Sequence, residues 1–229
     1  MMQTIGLTKS YERRGERFFA ANNINLTIAP EDFICVTGSS GSGKSTLLNL
    51  LTGLLRPDSG QILLDGQDLC KLSDAELARL RNTKIGYIPQ GNSLLQNLSV
   101  LDNVLLPWSL TRKQNAKATA RELLQRVGIA HLERESPKSL SGGEARRVAI
   151  ARSLITNPKI LIADEPTGDL DPANTDEVLR LFAEVHSQGI AVVMVSHERQ
   201  VPNCATRHLV VESGELRVES VQIAQKNHE

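Results

Sequence analysis

Apolar residues along this chain occur in short runs that are separated by polar segments containing glycine or proline. Residues 23–28 alternate between polar and apolar side chains and residues 33–37 are mostly apolar, so both segments are predicted to be strands. The sequence Ala-Pro-Glu-Asp at residues 29–32 predicts a turn between them. Residues 60–64 predict another short strand that leads into a second turn.

Helical spacing dominates the middle of the chain. We predict helices over residues 44–54, 74–81, 115–127 and 143–155. The third has an apolar stripe at i, i+3, i+4 and i+7, formed by Ala120, Leu123, Leu124 and Val127. Gly128 follows it, and glycine commonly ends a helix at this position.

Strand patterns return in the last third of the chain. Residues 160–163 and 190–195 are continuous apolar runs, as expected of parallel strands that are covered on both faces. The segment between them has an apolar helical stripe, formed by Val178, Leu181, Phe182 and Val185. A strand, a helix and a strand with this spacing predict a right-handed crossover unit.

Together these elements predict an α/β fold with a mostly parallel sheet, in one domain over residues 1–229. Residues 1–90 and 157–218 are expected to form its core, and residues 91–156 a helical subdomain. Residues after 218 are polar, so we predict a flexible tail over residues 219–229.

The composition narrows the class of protein. It is 40% hydrophobic and 23% charged, as in ordinary globular proteins, and the formal net charge of zero argues against a dedicated nucleic-acid binder. Cys35, Cys70 and Cys204 are odd in number and lack metal-ligand spacing, which favours free thiols in a reduced, cytosolic protein. The N-terminus lacks an apolar signal core, and every apolar run is shorter than the ~20 residues that span a bilayer.

The first candidate site is a glycine-rich loop between a predicted strand and a predicted helix. Its sequence fits the phosphate-binding pattern G-x-x-x-x-G-K-[ST], and the candidate nucleotide-binding residues are Gly38, Ser39, Ser40, Gly41, Ser42, Gly43, Lys44, Ser45 and Thr46. Such a loop aims backbone N–H groups and a helix N-terminus at an anion. Lys44 is expected to reach the β- and γ-phosphates and the Ser45 hydroxyl to bind Mg²⁺. A flexible serine-glycine turn is the alternative, which the flanking strand and helix disfavour.

The second candidate site is a pair of acids directly after the apolar run at residues 160–163. Carboxyl ends of parallel strands face the ligand crevice, so Asp164 is placed to hold the Mg²⁺ shell directly or through water. Glu165 is placed to orient or deprotonate an attacking water. Taken alone, the pair would more readily be interpreted as a helix cap.

A third feature is a second glycine-led helix start, formed by Ser141, Gly142, Gly143 and Glu144. Backbone N–H groups at this position could bind a second anion. Serine and glycine are also common at ordinary helix starts, so the segment alone leaves both interpretations open.

These motifs, in this order, resemble an ABC-transporter ATPase subunit over nearly the whole chain. The resemblance implies a P-loop NTPase fold, with a RecA-like core, an antiparallel β subdomain and a helical subdomain. It implies that Tyr11 stacks on adenine, and that Gln90 touches Mg²⁺ or water and senses a membrane subunit. It also implies that Asp171 lies in a segment that crosses to a partner ATPase, and that His197 lies near the γ-phosphate. Without the other motifs, Tyr11 and His197 would be interpreted as packing or surface residues.

The family resemblance further implies a mechanism. Two ATPase subunits, expected here as a homodimer, pack head to tail, so that each ATP lies between the phosphate loop of one and the Ser141–Glu144 signature of the other. The resemblance also implies that the membrane-spanning permease subunits are separate chains. This subunit is therefore expected in the cytoplasm, bound to the cytoplasmic face of the inner membrane. Glu144 and Asp169 depart from the commoner glutamine and asparagine, and each is expected to place a carboxylate near the dimer interface.

Three segments point to one branch of the family: residues 164–171, residues 101–104 with Pro107, and a hairpin-like insertion over residues 11–20. They resemble ATPases of lipoprotein-release, macrolide-export and cell-division systems. A regulatory ATPase that signals through a membrane complex is the alternative within this branch. A soluble ABC protein of translation or DNA repair is less compatible, since such proteins usually carry two cassettes or a long coiled-coil insertion.

Overall fold

In the computed structural model, which describes residues 1–109, 116–196 and 202–221, the chain forms two β-sheets and six α-helices among those residues. The strands are β1 (Met2–Arg13), β2 (Glu16–Ile28), β3 (Phe33–Thr37), β4 (Ser59–Leu64), β5 (Gln67–Asp68), β6 (Ile85–Ile88), β7 (Ile160–Asp164), β8 (Ala191–Val195), β9 (Arg207–Glu212) and β10 (Glu215–Val221). The helices are α1 (Lys44–Leu51), α2 (Asp74–Lys84), α3 (Val100–Ser109), α4 (Ala116–Arg126), α5 (Gly142–Leu154) and α6 (Pro172–Ser187).

The larger sheet has six strands in the order β10-β9-β3-β8-β7-β6. Its pairs from β9 through to β6 are parallel, and only β10 runs antiparallel to its neighbour within the described chain. The predicted crossover is confirmed, because β7 and β8 pair in parallel on either side of α6. This topology brings the carboxyl ends of β3 and β7 to one edge of the sheet, on either side of β8.

The smaller sheet is antiparallel, with the order β2-β1-β4-β5. The long β1–β2 hairpin turns at Arg14 and Gly15, which have φ values of 55° and 81°. Positive φ at both central residues is the pattern of a type I′ hairpin turn. The predicted insertion over residues 11–20 is confirmed as the end of this hairpin, whereas the strand predicted over residues 23–28 is only the second half of β2. The missed first half is mostly exposed, so it lacks the apolar alternation of a covered strand.

Alternate side chains of the large sheet enter two separate cores. Ile34 and Val36 of β3 face the antiparallel sheet and α1, whereas Phe33 and Cys35 face α3, α4, α5 and α6. Within the described residues, the 91–156 segment contributes helices and no strand. Its treatment as a separate subdomain stays a prediction.

Several predicted boundaries are corrected by the structure. Helix α1 ends at Leu51 instead of residue 54, because the chain turns at Gly53 with φ of 65°. Helix α2 continues to Lys84, and α3 lies outside the predicted helices. Helix α5 spans Gly142–Leu154, one residue earlier at each end than predicted. Residue 115, the predicted start of α4, lies outside the described residues.

The predicted tail is also corrected. Strand β10 extends through residues 219–221, where Ser220 pairs with His208 and Val221 with Arg207. A polar sequence is compatible with an edge strand, because the pairing uses backbone groups and leaves side chains in solvent. The rest of the predicted tail, residues 222–229, lies outside the described residues.

Candidate nucleotide-binding site

The glycine-rich loop lies between β3 and α1, as the sequence predicts. Three of its glycines have positive φ: 154° at Gly38, 76° at Gly41 and 112° at Gly43. A Cβ atom at Gly43 would lie 2.0 Å from the carbonyl oxygen of Ala20, and one at Gly38 would lie 2.3 Å from that of Val211. Glycine is therefore required at both ends of the loop by close approach to neighbouring backbone.

Lys44 lies inside the loop and is only 4% exposed. Its Nζ donates hydrogen bonds to the carbonyl oxygens of Gly38 at 2.9 Å and Ser39 at 2.8 Å. Burial lowers the pKa of this ammonium, while the nearby carboxylates of Glu165 and Asp164 act in the opposite direction. The Lys44 ammonium thus interacts electrostatically with both acids.

The acid pair has an unusual backbone. Asp164 is the last residue of β7 and is 4% exposed, whereas Glu165 adopts φ of 49° and donates its N–H to the Val195 carbonyl oxygen at 3.1 Å. Positive φ at a residue other than glycine is costly, and such strain concentrates at functional sites. Gln90 holds the Glu165 side chain, since its Nε2 donates to Oε2 at 2.8 Å. Burial, with a smaller contribution from Asp164, raises the pKa of Tyr87 to about 12.

One cavity of about 330 Å³ brings nine of the predicted site residues together. It is lined by Tyr11, Phe18, Ala20, Ser40, Gly41, Gly43, Lys44, Ser45, Thr46, Gln90 and Glu165. Its lining combines two aromatic rings with the phosphate loop and one acid, which are groups suited to the base and the phosphates of a nucleotide. His197 lies outside the described residues.

Phe18 is a lining residue that the sequence analysis missed. Its ring centroid lies 5.9 Å from that of Tyr11, with the planes tilted by 31°. The signal was available, because Phe18 and Tyr11 are equally spaced from the Arg14-Gly15 turn and pair across the hairpin. The ammonium of Lys9 also lies 5.9 Å from the Tyr11 ring centroid.

We expect Tyr11→Ala and Phe18→Ala each to weaken ATP binding roughly fivefold or more, because stacking a base on an aromatic ring contributes about 1–3 kcal/mol. Titration calorimetry would measure this. Phe19→Ala is the matched control, since Phe19 is 40% exposed but does not line the cavity. Binding of inorganic triphosphate should be unchanged in all three variants. Unchanged ATP affinity in Tyr11→Ala would assign Tyr11 a packing role.

The signature segment, Ser141–Glu144, does not line the nucleotide cavity. Ser141 caps the start of α5, and both it and Gly142 are exposed. Gly143 is buried, and a Cβ atom there would lie 2.1 Å from Oδ1 of Asn174 in α6. Ser141 and Gly142 line a second cavity of about 260 Å³ that shares no residue with the first. The structure thus separates the two glycine-led helix starts.

Two residues expected at a dimer interface have contacts within the chain. Glu144 turns back to Ser141, with its Oε2 accepting from the backbone N–H at 2.7 Å and from the hydroxyl at 2.8 Å. Asp171 caps α6 by accepting from the Asn174 N–H at 3.1 Å. Asp169 is exposed and lines the second cavity together with the buried Arg146. Burial lowers the pKa of Arg146, and the Asp169 carboxylate opposes this effect only in part.

The predicted metal ligands are a hydroxyl (Ser45), an amide (Gln90) and a carboxylate (Asp164). Ser45 and Gln90 line the nucleotide cavity, and Asp164 precedes Glu165, which lines it too. These oxygen donors fit Mg²⁺, which is usually bound by one or two protein groups with phosphate and water oxygens. The part of the chain described here contains no cluster of three or more His, Cys, Asp or Glu residues that could hold a metal ion.

Comparison with known proteins identifies the family and the fold of the chain. The ABC transporter family model matches residues 21–168. The dimeric structure of MJ0796, a bacterial ABC transporter cassette, is 34% identical with a TM-score of 0.90, over 97% of this chain and 100% of that one. A dimeric, post-hydrolysis form of MJ0796 bound to ADP and Pi gives a TM-score of 0.89, with the same identity and coverage. CbiO1 of Clostridium perfringens, part of the ABC transporter complex cbiONQ, is 31% identical with a TM-score of 0.81, over 94% of this chain and 86% of that one.

The fold and the site therefore define an α/β nucleotide-binding ATPase with a phosphate loop. The chain belongs to the ABC transporter family and is an ATP-binding cassette of that family. The family, fold class and enzyme class predicted from the sequence are confirmed. Across residues 1–109, 116–196 and 202–221, none of the helices combines the length and apolarity that crossing a bilayer requires.

Proposed function

We propose that this chain hydrolyses MgATP as a head-to-tail homodimer and drives separate membrane-spanning subunits of an ABC transporter. The observation that carries the proposal is the separation of the Lys44 cavity from the Ser141 cavity. Because the two helix starts line different cavities, we infer that one triphosphate contacts both when a second subunit supplies one of them. The similar MJ0796 cassette is dimeric, also when bound to ADP and Pi, which supports a dimer for this chain.

In the proposed reaction, the base stacks on Tyr11 beside Phe18, and the phosphates lie against the loop N–H groups. Lys44 exchanges its bonds to the Gly38 and Ser39 carbonyls for phosphate oxygens. Ser45, Gln90 and Asp164 would hold Mg²⁺, which when bound neutralises phosphate charge.

Glu165 is the proposed general base. It accepts a proton from water as the water oxygen bonds to the γ-phosphorus, and the bond from that phosphorus to the β,γ-bridging oxygen breaks. Gln90 positions Glu165, since its amide donates to the same carboxylate at 2.8 Å. His197 is assigned to the γ-phosphate by the family resemblance.

A mostly apolar surface groove supports the proposal that a membrane subunit binds this chain. This Leu54 groove has a volume of about 320 Å³ and is lined by Thr52, Leu54, Ala78, Arg81, Asn82, Ile85, Gly86, Tyr87, Pro107, Arg152, Ser153 and Thr156. Leu54 is 53% exposed, and the neighbouring Leu106 is 38% exposed. We assign the groove to a short helix of the membrane subunit that presents an apolar face, because exposed apolar patches of this kind mark protein contacts.

The Leu54 groove is connected to the nucleotide site by two routes. Strand β6 contributes Ile85 to the groove and runs directly into Pro89 and Gln90. Arg152 lines the groove and donates to the carbonyl oxygen of Ser93 at 2.8 Å, which fixes the far end of the same loop. Movement of a segment in the groove would therefore reach the Gln90 contact to the catalytic carboxylate.

We expect Leu54→Asp to retain the basal ATPase rate and to lose stimulation by the proposed membrane-spanning subunit. Val218→Asp is the matched control, since Val218 is 61% exposed on β10, at the opposite edge of the large sheet from the groove. The measurement is ATP turnover with and without the partner in lipid nanodiscs. Equal stimulation of both variants would remove the groove from the partner contact.

By the resemblance of residues 11–20 and 164–171, we further assign the partner to the lipoprotein-release or macrolide-export type. The same experiment tests this assignment. A partner that binds but leaves the turnover rate unchanged would instead favour the regulatory, cell-division type of ATPase.

A further inference from the structure

The N-terminus of α5 is capped by a carboxylate from the same helix. Oε2 of Glu144 accepts from the backbone N–H of Ser141 at 2.7 Å and from its hydroxyl at 2.8 Å. The Ser141 Oγ in turn accepts from the Glu144 N–H at 3.3 Å. This is a capping box, in which the first and fourth residues satisfy each other's donors. Both exposed donors of Ser141 are therefore directed at an anion within the chain.

The charge of Glu144 persists at neutral pH. The two hydrogen bonds from Ser141 lower the pKa of this carboxyl group, so it is ionised well below neutrality. Arg147, three residues further along the same helix, pairs with Glu177 of α6. The positive end of the α5 dipole, which favours anions, is thus partly neutralised by Glu144.

We propose that Glu144 is a built-in brake on ATP-driven pairing of two subunits. Its carboxylate holds the Ser141 donors that a γ-phosphate in the partner's phosphate loop would need, and its charge repels that phosphate. This inference rests on the proposed head-to-tail dimer, in which Ser141 faces the partner's nucleotide. Glutamine, the commoner residue here, can form the same capping box without the charge.

The chain contains an internal control for the capping function. Ser73 and Glu76 form the same box at the start of α2: Glu76 Oε2 accepts from the Ser73 N–H at 2.9 Å and from its hydroxyl at 2.6 Å. Neither residue lines the nucleotide cavity or the Ser141 cavity. The substitution Glu76→Gln therefore reproduces the loss of a cap charge without changing the charge at the signature.

The experiment compares E144Q and E76Q, each in an E165Q background that slows hydrolysis. Sedimentation equilibrium with MgATP gives the dimer dissociation constant. We expect E144Q to tighten the dimer roughly twofold to thirtyfold, the full range for one charge at a helix N-terminus, and E76Q to leave it unchanged. The gain should shrink as NaCl is raised toward 1 M, because salt screens the repulsion. Melting temperatures without nucleotide should fall by similar small amounts in both variants.

Equal dimer dissociation constants for E144Q and E76Q would overturn the brake and leave Glu144 as a helix cap only. So would a gain that does not depend on salt. Failure of the proposed function gives a different result, because the E165Q parent would then form no ATP-dependent dimer with either residue at position 144.

Discussion

Replacing Glu165 by glutamine is expected to lower the rate of ATP hydrolysis by about 10²–10⁴-fold, the usual contribution of a general base. The substitution removes the proton acceptor but keeps the size of the side chain and an oxygen that can accept from Gln90. ATP binding should therefore be retained within about twofold, because Glu165 contributes no phosphate donor. The measurements are steady-state phosphate release and equilibrium binding of ATP.

A matched control is Glu133→Gln, which removes a carboxylate that pairs with Arg121 in the helical region and does not line the nucleotide cavity. It should hydrolyse ATP at the unmodified rate. If Glu165→Gln retained the unmodified rate as well, Glu165 would have no catalytic role and another proton acceptor would be needed.

Replacing Lys44 by alanine is expected to weaken ATP binding roughly 100-fold or more. The ammonium supplies charge-assisted hydrogen bonds to two phosphates, and each such bond contributes about 1.5–3 kcal/mol. The pocket in front of the loop would also keep the negative charges of Asp164 and Glu165 without the cation that faces them. Turnover at subsaturating ATP should fall by at least the same factor.

The control is Lys71→Ala, since the Lys71 side chain is 76% exposed and lies in a short turn outside the cavity. Because Lys44 also bonds the Gly38 and Ser39 carbonyls, melting temperatures should be measured for both variants. Wild-type ATP affinity in a folded Lys44→Ala protein would contradict the assignment of the loop as the phosphate site.

Three strands of the parallel sheet, β3, β7 and β8, could be predicted because their side chains are buried and apolar on both faces. The other two, β6 and β9, were not predicted, since each is partly exposed and lacks a continuous apolar run. The β7–α6–β8 unit follows the predicted pattern, and the crossover places Asp164 and Glu165 at the ligand edge. The outer hairpin and β10 could not be predicted in full, because edge strands are held by backbone pairing and carry polar side chains. The α3 helix was missed since its apolar residues include Pro107, which usually interrupts a helix.

The site was predictable to the extent that its chemistry is local in sequence. The phosphate loop could be predicted because its residues follow a fixed spacing within nine positions. The Gln90–Glu165 hydrogen bond could not, because it joins residues 75 positions apart. The interaction of Glu144 with Ser141 shows a different limit. A carboxylate in the signature was expected near the dimer interface, which stays a prediction, but its capping of its own helix could not be predicted from that expectation.

The central claim is that one ATP lies between the phosphate loop of one subunit and the signature of the other. The most direct test is the structure of the Glu165→Gln protein with MgATP. We predict a dimer in which the Ser141 hydroxyl and the Gly143 N–H of one subunit lie within hydrogen-bonding distance of the γ-phosphate bound to Lys44 of the other. An ATP-bound structure in which residues 141–143 face away from every γ-phosphate would contradict the claim.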